Sequence, residues 1–485
     1  MTDSDLWRAT DAPTRRVTEA GVLRPAPVPQ PAPVAPPSRQ ARLVLIAAIL
    51  GFFMISLDAT AVNVALSAIG RSLHGSTGGL QWAVDGYTVP FAALLITAGA
   101  LSDRLGARRV CCWGLTVFTL ASAGCGLAPS LWALIAARVV QGSAAAVLLP
   151  ASLALVRQAC HDPAARARAV AVWSSGGATA MAAGPVLGGV LTSAAGWRAI
   201  FFVNLPVGVL AVALLGWAPR SARRSAPLDL AGQATAVLGL TALSYGVIAG
   251  GADGFRGVRV VVSLLVAAAA TVAFFMTEAR VRAPMVPLSL LRSRTVAACL
   301  FTGFSINAAF YGIAFLLSLY FQRVLGEPAV TAGLLFLPMT GLLAVANLAS
   351  ARFAARWGHR LAVGLGLSVG TLGMLALSLP DGSIATEVAL VPAGAGLGFS
   401  LPSLTFLLLD ALPAERAGLA GGLFNASRQT GGAIAVAVFG ALVSGAFGSF
   451  EAGMRVSMLI AAALLAASTA AAFTVLGRPG AREPK

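Results

Sequence analysis

The feature that most constrains the fold of this chain is a series of long apolar runs separated by short polar segments. A helix needs about 20 predominantly apolar residues to cross a bilayer. The runs lie near residues 43–66, 81–101, 110–128, 131–156, 169–193, 199–218, 230–250, 258–277, 295–320, 331–350, 361–379, 386–409, 417–440 and 455–476. Helices pair their own backbone groups in lipid, and the alternation typical of a membrane barrel is absent. The sequence therefore predicts an all-α polytopic membrane protein with fourteen transmembrane helices.

Composition excludes several classes of function. Only 11% of the residues are charged, against about 25% in soluble domains. The net charge of +16 is scattered in short groups and forms no stripe suited to nucleic acid. The five cysteines and three histidines lack metal-site spacing, and no glycine-rich phosphate loop with lysine is present. We therefore expect no nucleic-acid partner, no metal, no cofactor and no enzymatic activity.

Arginines are distributed unevenly between the two ends of the runs. Loops on the side of the N-terminus contain Arg104, Arg108, Arg109, Arg157, Arg166, Arg168, Arg220, Arg223, Arg224, Arg280, Arg282, Arg292, Arg294, Arg352, Arg356, Arg360 and Arg416. The opposite loops contain Arg71, Arg198, Arg256, Arg259, Arg323 and Arg455. Because short arginine-rich loops stay in the cytoplasm, we expect a multi-pass protein of the inner (plasma) membrane with both termini cytoplasmic. Residues 1–42, rich in Pro and Ala, would be a disordered cytoplasmic tail, and residues 477–485 a second tail.

An internal repeat divides the chain into two related halves. The segment between runs 2 and 3 reads GALSDRLGARR, and it aligns without gaps to ARFAARWGHRL between runs 10 and 11. Gly106 then pairs with Gly358, and Arg108 with Arg360. An offset of eight helices predicts two six-helix bundles with two inserted helices, as in parallel-repeat carriers that work by alternating access. The predicted domains are the bundles 43–218 and 295–476 and, between them, a linker with two extra helices at 219–294.

One acidic residue lies deep within the first apolar run. Helical rise places Asp58 about 22 Å from the Leu43 end of that run, inside a hydrocarbon core about 30 Å thick. An ionised carboxylate at that depth costs at least about 2.5 kcal/mol. Asp58 should therefore face a partner or a water-filled cavity, which is typical of a proton-linked transporter.

Two further ionisable side chains lie at comparable depth. Helical rise places Arg138 about 10 Å below the outer face, close to the depth of Asp58, and Asp85 lies about four residues into the second run. Changes in water access or substrate charge can move a proton on such a carboxyl. We predict that Asp58, Arg138 and Asp85 form a proton-coupling site. The alternative is a permanent buried ion pair with a structural role.

Several motifs resemble those of the fourteen-helix drug:proton antiporter branch of the major facilitator superfamily, over about residues 43–476. The matching segments are Leu57 to Thr60 with Asn63 in the first helix, residues 99–109 in the loop motif, 138–142 in the fourth-helix motif, 184–189 in the antiporter fifth-helix motif, 196–206, and 417–431. The resemblance implies the major facilitator fold and drug:proton antiport.

The loop motif resembles a conformational latch between the two bundles. Its residues are Gly99, Asp103, Arg104, Gly106, Arg108 and Arg109. The resemblance implies that Asp103 pairs across the interface in the outward-open or resting state. From the residues alone, Asp103 can also cap the third helix, and an ordinary solvated loop is the alternative.

Small residues recur along one face of the fifth helix. Gly177, Gly184 and Gly188 are spaced by seven and four residues, so another helix can approach closely there, and Pro185 and Gly189 extend this antiporter helix seam. The alternative is tight packing without a transport role.

A third set of side chains is predicted to line a substrate cavity. Drug-sized ligands need apolar walls with a few polar groups, and Arg428 lies near mid-membrane, about 16 Å into the thirteenth run. The predicted set is Asn63, Gln141, Asn307, Phe310, Tyr311 and Arg428. Lipid-facing aromatics and a structural arginine are the alternatives.

Together these features favour a monomeric exporter of amphiphilic drug-like small molecules, cations among them, driven by the proton gradient. Its expected partners are the substrate, protons and the lipid bilayer. A proton-coupled importer of a small nutrient is the first alternative. A non-transporting membrane scaffold or sensor is the second, although a scaffold has little use for costly intramembrane charges.

Overall fold

The computed structural model describes residues 39–160, 162–218, 221, 229–281, 284–379, 383–412, 417–446 and 448–476. These residues form helices joined by short turns, with no strand among them. Residues 1–38 and 477–485 of the predicted tails, and parts of the predicted linker, lie outside the described residues.

Seventeen α-helices follow one another along the described chain. They are α1 (Arg39–Leu73), α2 (Thr77–Leu105), α3 (Ala107–Gly126), α4 (Leu131–Ala159), α5 (Pro163–Ala195), α6 (Ala199–Phe202), α7 (Asn204–Gly216), α8 (Leu230–Asp253), α9 (Val258–Arg280), α10 (Leu288–Arg292), α11 (Arg294–Leu319), α12 (Ala329–Leu334), α13 (Leu337–Trp357), α14 (His359–Leu377), α15 (Ser383–Asp410), α16 (Ala417–Ala441) and α17 (Phe450–Thr474). Short π-helical turns extend α11 and α16, at Tyr320–Val324 and Leu442–Ala446.

Each of the fourteen predicted runs corresponds to a helical segment. Thirteen segments of the described chain are long and apolar enough to cross a membrane, and α3, which begins with an arginine pair, completes the series. The sixth segment is divided into α6 and α7, and the tenth into α12 and α13. The prediction that residues 39–42 belong to the tail was wrong. They form the first turn of α1, because a helix can continue into the polar interface where Arg39 and Arg42 remain exposed.

The helices pack as two sets with the same pattern of neighbours. In the first set α1 packs on α5 and α7, α2 on α4, and α3 on α4 and α7. In the second set α11 packs on α16 and α17, α13 on α15, and α14 on α15 and α17. Every pairing in the first set thus has a counterpart in the second, as expected for two related six-helix bundles.

The repeat is reproduced in atomic detail at Arg108 and Arg360. Arg108 donates hydrogen bonds to the Leu215 and Gly216 carbonyls at the end of α7, at 3.1 and 2.7 Å. Arg360 donates to the Ala472 and Phe473 carbonyls at the end of α17. Each arginine therefore supplies donors to carbonyls in the last turn of a helix and ties the start of one helix to the end of its bundle's last helix.

The turn before each of these arginines is a single glycine. Gly106 and Gly358 have φ of 91° and 88°, a left-handed region that side chains rarely adopt. Asp103 lies in the last turn of α2, and the residue that caps α3 is Gly106, without a side-chain hydrogen bond. The prediction that Asp103 caps the third helix was therefore wrong, because α2 continues to Leu105 and leaves no loop for Asp103.

Polar contacts between the two bundles lie at the end of the helices far from Arg39. Gln322 donates to the Val64 carbonyl at 2.8 Å, and Gln81 donates to the Ala437 carbonyl at 2.9 Å. The Val330 amide donates to Ser193 Oγ at 3.2 Å. Toward the opposite ends of α2 and α16, a Cβ placed on Gly99, Gly421 or Gly422 would meet no atom within 4 Å. The described polar contacts between the bundles thus lie at one end of these two helices.

The inserted helices α8 and α9 pack on each other beside α2 and α16. At one end of α8, Gln233 donates to the Ala93 carbonyl of α2 at 3.0 Å. At its other end, the Gly251 carbonyl accepts a hydrogen bond from Ser444, just beyond α16, at 2.6 Å. The pair therefore contacts both bundles.

The glycines of α5 form the close approach that the sequence predicted. Gly177, Gly184 and Gly188 lie directly against α1, where a Cβ on Gly188 would be 2.7 Å from the Ala61 carbonyl oxygen. Gly189 packs against Ala329 at the start of α12, and the Pro185 carbonyl faces Gly333 of the same helix. One face of α5 therefore packs within its bundle and another packs across to the second bundle.

We predict that Gly188→Val disrupts the packing of α5 on α1, because the added atoms meet the Ala61 backbone, which cannot rotate away. The amount of monodisperse protein in detergent, measured by fluorescence-detected size exclusion, should fall severalfold. Gly341→Val is the matched control, since Gly341 lies within α13 and has open space around it. Equal yields of the two variants would contradict the close-packed seam.

Candidate functional site

Asp58 is the centre of a buried polar cluster in the first bundle. It lies on α1, is only 3% exposed, and forms an ion pair with Arg138 of α4 through Oδ2. Its other oxygen accepts hydrogen bonds from Gln141 Nε2 at 2.9 Å and Asn204 Nδ2 at 3.3 Å. Both carboxylate oxygens are therefore satisfied away from water. The similar depths estimated for Asp58 and Arg138 correspond to a real contact.

Arg138 is fully buried and connects the ion pair to a second helix. Its Nε donates to the Ala83 carbonyl of α2 at 3.1 Å, and its Nη1 donates to Gln141 Oε1 at 2.9 Å. The guanidinium lies over the Tyr87 ring, 4.3 Å from its centre, an arrangement that stabilises a buried cation. Nη2 has no partner.

Sequence reasoning missed two members of this cluster and assigned a third elsewhere. Asn204, at the start of α7, bridges Asp58 and Ser122 of α3, with 3.0 Å to the Ser122 hydroxyl. Gln141 was predicted to line the substrate cavity, but it is fully buried and bonded within the cluster. Its spacing of three residues from Arg138 places both side chains on one helix face, which was a usable signal. Ser122 and Asn204 are isolated polar residues in apolar helices, and such residues are only a weak signal of a buried site.

Asp85 has a different environment. It is fully buried on α2, and Oδ1 accepts a single hydrogen bond from Thr88 at 3.1 Å. Among the described residues, Oδ2 has no hydrogen-bond partner and the carboxyl forms no ion pair. Both carboxylate oxygens of Asp58 thus have polar partners, whereas only one oxygen of Asp85 has a partner among the described residues.

The predicted cavity residues lie in two places. Asn63 is buried on α1, and its amide nitrogen bonds to the Ala59 carbonyl at 3.2 Å. Asn307, Phe310 and Tyr311 are buried on α11. All four are enclosed in this conformation, and their role in substrate binding stays a prediction.

Arg428 is the predicted cavity residue that remains partly accessible. It lies on α16, and its Nε donates to Asn307 Oδ1 at 3.0 Å. Its Nη1 contacts Asn425 Oδ1 at 3.4 Å, and the guanidinium lies 5.8 Å from the centre of the Phe424 ring. No acid pairs with it within the described chain.

The predicted latch residues lie together at the junction of α2 and α3. Asp103, Arg104 and Arg109 are exposed, and Arg109 lies 5.3 Å from the Trp113 ring centre. Arg108 is committed to the end of α7, as described above. Asp103 makes no ion pair with any described residue in this conformation. No group of three or more His, Cys, Asp or Glu able to hold a metal was found in the described part of the chain.

Comparison with known proteins identifies the family. The model of the Major Facilitator Superfamily matches residues 48–436. The chain belongs to this superfamily. Its helices have the fold of a bacterial homologue of the human lysosomal transporter Spinster, solved in an inward-facing and unoccupied conformation, with a TM-score of 0.64 at 16% identity over 90% of this chain and 97% of that one. The chain is therefore a multi-pass plasma-membrane transporter protein with the major facilitator fold, as the sequence predicted.

Two relatives of this superfamily member are named for drug resistance. It is 36% identical over 436 residues to the methylenomycin A resistance protein of Streptomyces coelicolor, covering 89% of this chain and 92% of that protein. It is 37% identical over 411 residues to the multidrug resistance protein Stp of Mycobacterium tuberculosis, covering 84% and 76% of the two chains.

We predict that Arg138→Leu lowers the free energy of unfolding by about 3–5 kcal/mol, because it leaves Asp58 buried without its cation. The double variant Asp58→Asn with Arg138→Leu should recover part of that loss, since it removes both charges. Denaturant unfolding in detergent measures the difference. Arg109→Leu is the control and should change stability by less than about 0.5 kcal/mol. Equal losses in the single and double variants would argue against the buried pair.

Proposed function

We propose that this transporter exports amphiphilic drug-like molecules in exchange for protons, by alternating access between its two bundles. The observation that carries the proposal is Asp85, a fully buried carboxyl that has one hydroxyl partner and no ion pair among the described residues. Burying an ionised carboxylate without a cation costs considerable free energy. Asp85 would therefore hold a proton while it is enclosed and release the proton when water reaches it. The names of the two relatives support drug export.

In this proposal Asp58 and Arg138 position the coupling site and respond to it. Arg138 is bonded to the Ala83 carbonyl of α2, two residues before Asp85. A change in the charge of Asp85 acts directly on α2, and α2 contacts α16 of the second bundle. Protonation is thereby linked to the packing between the bundles, which is what proton coupling requires.

The position of the hydrogen bonds between the bundles, at the end of the helices far from Arg39, supports an inward-facing state. The excess of arginine on the N-terminal side supports placing both termini in the cytoplasm. The hydrogen bonds between the bundles would then close the outer end and leave the cytoplasmic end of these helices apart. A drug would bind from the cytoplasm in this state, with no cofactor beyond the proton gradient.

We expect Asp85→Asn to abolish coupling while leaving the protein folded. Everted vesicles that contain the wild-type chain should accumulate methylenomycin A when their interior is acidic and lose it when nigericin collapses the pH gradient. In Asp85→Asn the gradient-driven accumulation should fall at least tenfold, because asparagine cannot carry the proton. Asp253→Asn, an exposed carboxylate at the end of α8, is the control. Full accumulation by Asp85→Asn would remove Asp85 from the coupling step.

We also propose that Asp103 forms its latch contact when the cytoplasmic ends close. It is exposed and free of ion pairs in the present state, so its partner would approach only in the outward-open state. Asp103→Asn should therefore shift the population toward the inward-facing state. Spin labels at Arg157→Cys and Arg356→Cys, in a chain without its native cysteines, would report this shift as a larger share of long distances. An unchanged distance distribution would show that Asp103 is no latch.

A further inference from the structure

Four acidic or basic side chains lie more than six residues from both ends of their helices within the described chain: Asp58, Asp85, Arg138 and Arg428. Asp58 and Arg138 neutralise each other, and Asp85 is fully buried. Arg428 is therefore the one charge of this group that is both uncompensated and partly accessible.

The hydrogen bonds of Arg428 hold its guanidinium in place without neutralising it. Asn307 takes the Nε–H, and Asn425 takes one hydrogen of Nη1. Both partners are neutral amides, and no acid of the described chain pairs with the cation. A guanidinium has five N–H donors, so three remain, one on Nη1 and two on Nη2.

Those free donors point to a ligand. Nη2 of Arg428 has no hydrogen-bond partner among the described residues, and the side chain is partly accessible. One N–H from each Nη forms the fork that binds a carboxylate through two parallel hydrogen bonds. Aromatic rings lie next to this fork, Phe424 at 5.8 Å and the Tyr311 ring against Gly432 of the same helix.

We propose that Arg428 binds an anionic group of the substrate, so that the transported molecules are amphiphilic organic anions such as carboxylates. This inference rests on the proposed export function and names the substrate class of the same transporter. It replaces the sequence-based expectation that cations are among the substrates, because the second bundle presents to its ligand a positive charge that no acid of the described chain pairs with.

The placement of the charges also separates the substrate from the proton. Asp58 and Asp85 belong to the first bundle, and Arg428 belongs to the second. Movement of the bundles would then link the two ligands without direct contact between them. An anion leaving a cell with a negative interior also moves down the membrane potential, which adds to the drive from the proton gradient.

The test compares one carboxylate with its neutral ester on the full-length purified chain. The probes are a fluorescent methoxycoumarin acetic acid, its methyl ester, and the cation ethidium, with binding measured by fluorescence polarisation. The wild-type chain should bind the acid at least ten times more tightly than the ester, which corresponds to a charge-assisted hydrogen-bond pair. Arg428→Gln should weaken acid binding at least tenfold and ester binding less than twofold, and Arg428→Lys should keep part of the preference.

Arg455→Gln is the matched control, because it removes an exposed arginine without a described partner, near the start of α17. If Arg428→Gln does not fold, Asn307→Ala serves as the second variant. It removes the amide that orients the guanidinium, and it should reduce the preference for the acid about two- to fivefold. Binding of acid and ester with equal affinity, tighter binding of ethidium, or an equal effect of Arg428→Gln on all probes would overturn the proposal.

The same proteins in everted vesicles separate this inference from the proposed function. If the acid binds through Arg428 but does not accumulate under a pH gradient, the substrate class stands and proton-driven export fails. If the ester or ethidium accumulates while the acid neither binds nor moves, export stands and the anion site fails.

Discussion

The ion pair between Asp58 and Arg138 determines how the first bundle is built. Together with Gln141, Asn204, Ser122 and the Ala83 carbonyl, it joins α1, α2, α3, α4 and α7 at one buried point. Within the hydrocarbon core, water cannot stabilise either charge. Removing one partner therefore leaves the other charge uncompensated. The five helices are therefore held in one arrangement around the pair. A proton reaching this point would act on the whole bundle.

The two halves share a scaffold but differ in their charged groups. Gly106 with Arg108 and Gly358 with Arg360 make the same helix junction in each half. The second half has no buried ion pair among its described residues, and at the position equivalent to Asp103 it has Ala355. A repeat preserves what the backbone needs, namely a left-handed turn and donors for the last carbonyls. The charged groups have diverged, and in the proposed mechanism one bundle would hold protons and the other would bind the ligand.

The sequence predicted the features that depend on helix periodicity and depth. Apolar run length located all fourteen helical segments, and helical rise brought Asp58 and Arg138 to the same level. It could not show that Asn204 completes the cluster, because the approach of α7 to α1 is a tertiary event. The sequence analysis placed Asp103 at the start of the third helix, whereas Asp103 lies in the last turn of α2. The reason is that a single left-handed glycine, Gly106, joins the two helices where a longer loop was expected. The difference between a saturated Asp58 and an unpaired Asp85 also depended on neighbours from other helices.

Alternating access requires that the contacts between the bundles be strong enough to close one end and weak enough to break. Three of the described contacts are hydrogen bonds from Gln322, Gln81 and the Val330 amide, each worth about 0.5–1.5 kcal/mol net. The others include hydrogen bonds from Ser318 to the Asn63 carbonyl and from Arg323 to Thr77, together with the packing of α2 on α16 and of α5 on α12. No single hydrogen bond among them is strong, which allows this end to open. A ligand shifts the equilibrium between the open and closed states only by its difference in affinity for the two states. In the proposed mechanism, one charged group bound at Arg428, or one proton at Asp85, would supply an energy comparable with a few such hydrogen bonds.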